Sequence, residues 1–165
     1  MATQVFDYLD RALNTAEQIG VLLVSCDREG VPNMMTIGWL LLGRSYYGRP
    51  VAVVAVRPAT YTFSLLDLVE EFVIAVPSLD LADAVALCGK QSGRLIDKFA
   101  VTSFTPVPSK HVAPPSIKEC IINIECRIYY KQRPPHQLLT SEHRKAPISE
   151  QHTIYFAEVL GVSTS

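Results

Sequence analysis

With 165 residues, 48% of them hydrophobic, the chain is long enough for one domain with a sizeable core, and a single folded unit over residues 1–165 is expected. Fifteen basic residues against sixteen acidic ones leave a formal charge of -1, so no positive field holds a nucleic acid backbone and nucleic acid is set aside as a partner. The apolar runs "VLLVS" and "WLLL" fall far short of the roughly 20 residues that cross a bilayer, and "MATQVFDYLDRALN" carries charges where a signal peptide is apolar, so a soluble, cytoplasmic protein with no membrane partner is expected.

In chain order, Val5, Leu9, Ala12, Leu13 and Ala16 recur at helical spacing opposite Asp7, Asp10 and Arg11, which predicts an opening amphipathic helix within residues 1–17, closed by Gly20. "VLLVSCD" reads as a strand, "DREG" as a turn and "VPNMMTIGWLLL" as a second strand returning beside the first. "RPVAVVAVRP" is a third strand, "TYTFSLLDLVE" is helix-like, and "EEFVIAVPS" is a fourth strand. "SLDLADAVALCG" has a serine placed to cap its start and a glycine at its end, which describes a short helix. "SGRLIDKFA" adds a turn or two, and residues 101–118, rich in Pro, Ser, Thr and Val, read as an extended surface connection.

"KECIINIECRIYY" alternates Cys120, Ile122, Ile124, Cys126 and Ile128 with Glu119, Asn123, Glu125 and Arg127, a long strand with one face buried and one wet. Residues 131–151 form a long polar loop, and "HTIYFAEVLGV" is the last strand. The first three strands follow one another with no crossover helix, so a parallel sheet is excluded; the class is mainly β, an antiparallel barrel or sandwich with inserted helices.

Cys26, Cys88, Cys120 and Cys126 lack zinc-type pairing and disulfide-scaffold density, so they read as buried or half-buried free thiols. His111, His136, His143 and His152 form no ligand spacing, and no metal is expected. Three stretches offer what a phosphorylated planar ligand needs. "NMMTIGW" brings Asn33, Thr36 and Trp39, an amide, a hydroxyl and a large ring, although a core tryptophan in a strand would read the same way. "VRPATYTF" sets Arg57 at a strand end and Thr60 and Thr62 at a helix mouth, where N–H groups stand unpaired; a plain threonine cap beside a solvated arginine is the alternative. "CGKQSGRLIDKF" supplies Ser92, Lys90 and Lys98 near Gly89 and Gly93; it is not a Walker loop, and alone it reads more readily as a polar joint between helices than as a phosphate seat.

Taken in order, with "FVIAVPS" and "ECIINIEC" between and after them, these stretches resemble the FMN-binding split barrel of the flavin reductase-like family, closest to its flavoredoxin branch. The likeness runs from about Val21 to Ile128 and resumes at "HTIYFAEV". It implies a six-stranded Greek-key split β-barrel, a homodimer and one non-covalent FMN per subunit near the dimer interface. On the matching positions, the flavin would lie against Asn33, Met35, Thr36, Trp39, Val56 and Arg57, and its phosphate and ribityl chain would meet Thr60, Tyr61, Thr62, Ser92 and Lys98, with Lys90 a further candidate and His152 a late contact.

The resemblance implies an FMN-dependent oxidoreductase that takes a hydride from NADH or NADPH and reduces free flavin or a redox protein, with no catalytic side chain because the chemistry belongs to flavin N5. A non-enzymatic FMN electron carrier and a split barrel holding another ligand such as haem are the alternatives. Residues 131–151 depart from the family's short connection, which alters the nicotinamide side of the pocket. The chain stops at Ser165, where relatives commonly continue with a segment that closes over the flavin.

Overall fold

The structure, a computed structural model, describes residues 6–164. The described part opens with helix α1 (Leu9–Gln18), followed by β1 (Val21–Cys26) and β2 (Pro32–Ile37) as a hairpin, then β3 (Leu40–Arg44) and β4 (Pro50–Val56). Helix α2 (Tyr61–Leu66) leads to β5 (Glu71–Val76), and α3 (Ala82–Lys90) and α4 (Lys98–Val101) follow. A small ladder of β6 (Pro106–Val107) with β7 (Ser116–Ile117) precedes the long β8 (Ile122–Gln132) and β9 (Thr153–Thr164). Val5 of the expected first helix lies outside the described residues. Within α1, Ala12 is buried whereas Leu13 faces solvent, so the apolar stripe is narrower than its spacing suggests.

Seven strands form one antiparallel sheet in the order β2-β1-β5-β8-β9-β4-β3. Its two edge strands, β2 and β3, are consecutive in the chain and joined only by Gly38 and Trp39. Two linking residues reach about 11 Å at most, so the sheet must curl until its edges meet at that corner. No ladder joins β2 to β3 among the described residues, and the cylinder stays open along that seam. This is the split-barrel fold. The expected count of six strands is corrected to seven, because "VPNMMTIGWLLL" is not one strand: the chain breaks at Gly38 and its continuation crosses to the far edge.

The interior is filled by alternate residues from every strand, among them Leu23, Val54, Phe72, Ile74, Ile124 and Tyr155. A second core lies outside the barrel, where Leu22, Val24, Met34, Val73 and Ala75 pack against Val85 and Cys88 of α3 and against Phe104, Ile117 and Cys120. β1 is therefore buried on both faces, which accounts for its unbroken apolar run. The connection 101–118 is not purely a surface segment, since Phe104, Ser116 and Ile117 are buried.

That cover also corrects the wet face expected for β8. Asn123 and Glu125 are 4% and 2% exposed. The Asn123 amide exchanges hydrogen bonds with the N–H and carbonyl of Ile117, and the Glu125 carboxylate accepts from the N–H groups of Lys110 and His111. Polar residues on a strand fit a buried face when a neighbouring backbone segment pairs them. All four cysteines are buried free thiols. No described helix is long and apolar enough to cross a membrane.

Candidate functional site

The open seam of the barrel leaves β2 as a free edge, and a cleft of about 280 Å³ lies along it. Asn33 and Met35 come from β2, Arg57 from the end of β4, Thr60, Tyr61 and Thr62 from the start of α2, Lys90 from the end of α3, Ser92 from the loop after it, and Lys98 from the first position of α4. Nine of the thirteen residues expected from sequence thus share one cleft. Sequence reading missed Ala59, Cys88, Gly89, Gln91 and Gly93 in its lining; the two glycines were visible as points of close backbone approach, the others carried no signal.

The other four lie outside the lining. Val56 is buried in the barrel core. Thr36 points its hydroxyl at the carbonyl of Val85, tying β2 to α3. Trp39 is half exposed and packs on His152, with ring centres 5.2 Å apart. The imidazole of His152 is held below its ordinary pKa by burial first, then by the charge of Arg57 and by His136. Arg57, whose charge acts on His152, also lines the cleft. The His152 carbonyl faces His136 Nε2 at 2.7 Å, which fastens the 131–151 loop beside the ring pair. β8 runs on to Gln132, so the loop begins two residues later than expected, and there Lys131 of the strand and Arg133 of the loop both reach Asp67 at the end of α2.

Within the cleft the donors divide into spent and spare. Thr60 is the cap of α2: its oxygen accepts from Phe63 N–H and its one proton goes to the Arg57 carbonyl. Thr62 accepts from the Asn33 amide at 3.1 Å and keeps its proton. Ser92 accepts from Arg94 N–H and also keeps its proton. Lys98 is only 4% exposed, and its ammonium donates to the carbonyls of Met34 at 2.8 Å and Cys88 at 2.7 Å, leaving one of three protons. Burial lowers the Lys98 pKa, and burial raises that of the neighbouring Cys88 thiol. The backbone N–H groups of Ser92 and Gly93 find no backbone acceptor among the described residues.

Contacts leave little room for a side chain at one glycine here and none at another. A Cβ on Gly89 would stand 3.2 Å from Thr36 Cβ, and one on Gly93 would run into Asn33 and Tyr61. Gly89 is therefore not the helix terminator expected from sequence: α3 runs through it to Lys90, and its small size lets the helix lie on β2. Ser78, the expected cap, makes no capping hydrogen bond with its side chain. The lining holds three cations, Arg57, Lys90 and Lys98, and no carboxylate, although the whole chain carries a net charge of -1. Three cations and spare N–H and O–H donors with no competing acid make this cleft chemically suited to an anion. Among the described residues no cluster of His, Cys, Asp or Glu is placed to hold a metal.

The split-barrel sheet with a cation-lined cleft on its free edge defines the class of scaffold, and comparison with known proteins gives the family. Residues 17–165 match the flavin reductase like domain, and the chain belongs to that family. It is 34% identical over 132 residues to an uncharacterized protein of Archaeoglobus fulgidus; the match takes in 80% of this chain and 65% of that relative's length. The fold is similar to that of flavoredoxin from Desulfovibrio vulgaris (Miyazaki F), with a TM-score of 0.71 and 27% identity over 88% of this chain and 69% of that one. It is also similar to an NADH:FAD oxidoreductase of Streptomyces globisporus, with a TM-score of 0.67 and 16% identity over 96% of this chain and 83% of that one.

Proposed function

We propose that the chain binds FMN non-covalently in the cleft along β2 and works as a flavoprotein oxidoreductase, taking a hydride from NADH or NADPH and passing the electrons to free flavin or a redox protein. The observation that carries the reading is the charge of the lining: Arg57, Lys90 and Lys98 with no acid among them. A phosphate suits the hydroxyls of Ser92 and Thr62 and the unpaired N–H groups of Ser92 and Gly93, and the missing side chain at Gly93 lets the backbone come close. Met35 and the ring of Tyr61 offer apolar and aromatic surface to a planar group, and Trp39 and His152 extend that surface beyond Arg57.

FMN supplies hydride chemistry at its own N5, so the protein's part is to bind, orient and set the local charge. Arg57 is suited to stabilise negative charge at the ring end of the cleft, while Lys90 serves the phosphate end and Lys98 holds the wall beside it. Titration of the purified protein with FMN tests the central claim: a perturbed flavin spectrum with saturable binding is expected, and no change on adding FMN would reject it.

A carrier role without enzymatic turnover is the second reading, favoured by the 27% identity to a flavoredoxin. Steady-state oxidation of reduced nicotinamide separates the two: turnover with added flavin marks the reductase, and its absence together with fast reduction by a protein partner marks the carrier. A homodimer belongs to the same proposal. In register across the outer face of β3, β4, β9 and β8 stand Leu41, Val53, Phe156 and Tyr130, an apolar row whose two ends are open to solvent, with Leu41 58% and Tyr130 50% exposed. A reducing cytoplasmic setting suits the four free thiols.

A further inference from the structure

Two walls of the cleft come from distant parts of the chain, the loop 57–60 and the loop 91–94, and neither a strand ladder nor a helix joins them. Arg94 does. Its Nη1 donates to the Ala59 carbonyl at 3.2 Å and its Nη2 to the Thr60 carbonyl at 3.4 Å. Its guanidinium carbon stands 5.3 Å from the centre of the Tyr61 ring. The backbone of Arg94 is in turn held by Ser92, whose Oγ accepts its N–H. One planar fork therefore meets two successive carbonyls and an aromatic face, a set that a lysine's point charge cannot reproduce. Arg94 itself does not line the cleft.

We propose that Arg94 is a positioning residue that sets the spacing of the two walls, acting on the ligand through Thr60, Tyr61 and Ser92 rather than by touching it. The proposal rests on reading the cleft as a flavin site. The carbonyls that Arg94 grips lie just before the first turn of α2, so its grip fixes where Tyr61 and Thr62 stand relative to Ser92 and Gly93. Gly93 is already in contact with Tyr61 and Asn33, and a small drift of either loop changes the distance across which an anion must be held. Arg94 also adds positive charge near the mouth, so a purely electrostatic role is the competing explanation. Lysine substitution separates the two, because it keeps the charge and loses the fork.

The experiment compares wild type, Arg94→Lys and Arg94→Ala, first without ligand by amide hydrogen exchange over residues 57–66, then by titration with FMN and with riboflavin. Thermal unfolding of each variant confirms that it is folded. Without ligand, exchange over residues 57–66 is expected to quicken about tenfold in both variants, the effect of losing one or two solvent-exposed hydrogen bonds. FMN binding is expected to weaken about tenfold in both, with lysine giving no rescue. Unchanged exchange in Arg94→Ala overturns the strut whether or not flavin binds. Recovery of FMN affinity by Arg94→Lys to within about twofold of wild type also overturns it, since charge alone would then suffice. A wild-type protein that binds neither flavin rejects the flavin site, and the exchange data then decide the strut by themselves.

Discussion

Gly93 lies against Asn33 so closely that a Cβ on residue 93 would overlap Asn33 Oδ1, and it would stand 2.9 Å from Tyr61 Cδ1. Asn33 cannot swing away freely, because its amide nitrogen is bonded to Thr62. Gly93→Ala is therefore expected to destabilise the fold by about 1–3 kcal/mol through overpacking. It should also weaken FMN binding, since the loop that carries Ser92 must move. Thermal unfolding and flavin titration of the variant check both, and a variant equal to wild type in both measurements would show that the contact is soft.

The two lysines of the cleft differ in what their ammonium groups do. Lys98 is buried and spends two protons on the carbonyls of Met34 and Cys88, which joins the edge strand β2 to the end of α3. Lys98→Met leaves those carbonyls without their donor, and a loss of about 1–3 kcal/mol is expected, with FMN and riboflavin weakened alike. Lys90 is exposed at the cleft, and its side chain makes no hydrogen bond or ion pair among the described residues, so Lys90→Ala should leave stability unchanged and weaken FMN by about three- to tenfold while sparing riboflavin. A Lys98 variant that loses FMN selectively, with unfolding unchanged, would reverse this assignment.

Much of this site was legible because its residues sit in short stretches whose local structure is strongly specified. Thr60 before a helix, Asn33 and Met35 in a strand, and the glycines around Ser92 each announce a backbone context. What could not be read was the fate of each proton: Lys98 and Ser92 look equivalent as phosphate donors in sequence, and only the packing of α4 onto β2 shows that Lys98 is largely engaged. The break at Gly38 was hidden for a similar reason. Apolar residues continue unbroken from β2 into β3, and the change of partner strand is a property of sheet closure, not of local pattern. Glu125 and Asn123 read as solvent-facing because period-two alternation records only which residues share a face, whereas the cover over that face comes from residues 108–117, far off in sequence.

The outer row of Leu41, Val53, Phe156 and Tyr130 gives the dimer proposal a direct test. Phe156→Lys places a charge in the middle of that row, between Val53 on β4 and Tyr130 on β8. Its side chain is on the outer face and half-buried, so the barrel interior is untouched. The variant is expected to keep its fold and to sediment as a monomer, while wild type sediments as a dimer. A dimer that survives the charge would place the interface elsewhere.

His152 and the chain's single tryptophan, Trp39, form a natural pH reporter. Burial, the charge of Arg57 and the neighbouring His136 all lower the His152 pKa. The unfolded chain, whose histidine titrates near the ordinary value of about 6.5, therefore binds more protons than the folded one between the lowered value and that ordinary value. The contribution of neutral His152 to stability is complete above the ordinary value and is lost as pH falls through this window. Urea midpoints should fall as pH is lowered from about 7 to about 5, and His152→Phe, which keeps an aromatic ring against Trp39, should flatten that part of the curve. Trp39 emission should change over the lowered window in wild type and not in the variant. Equal pH slopes in the two proteins, with no change in Trp39 emission, would mean that the folded environment leaves this imidazole as it is in water.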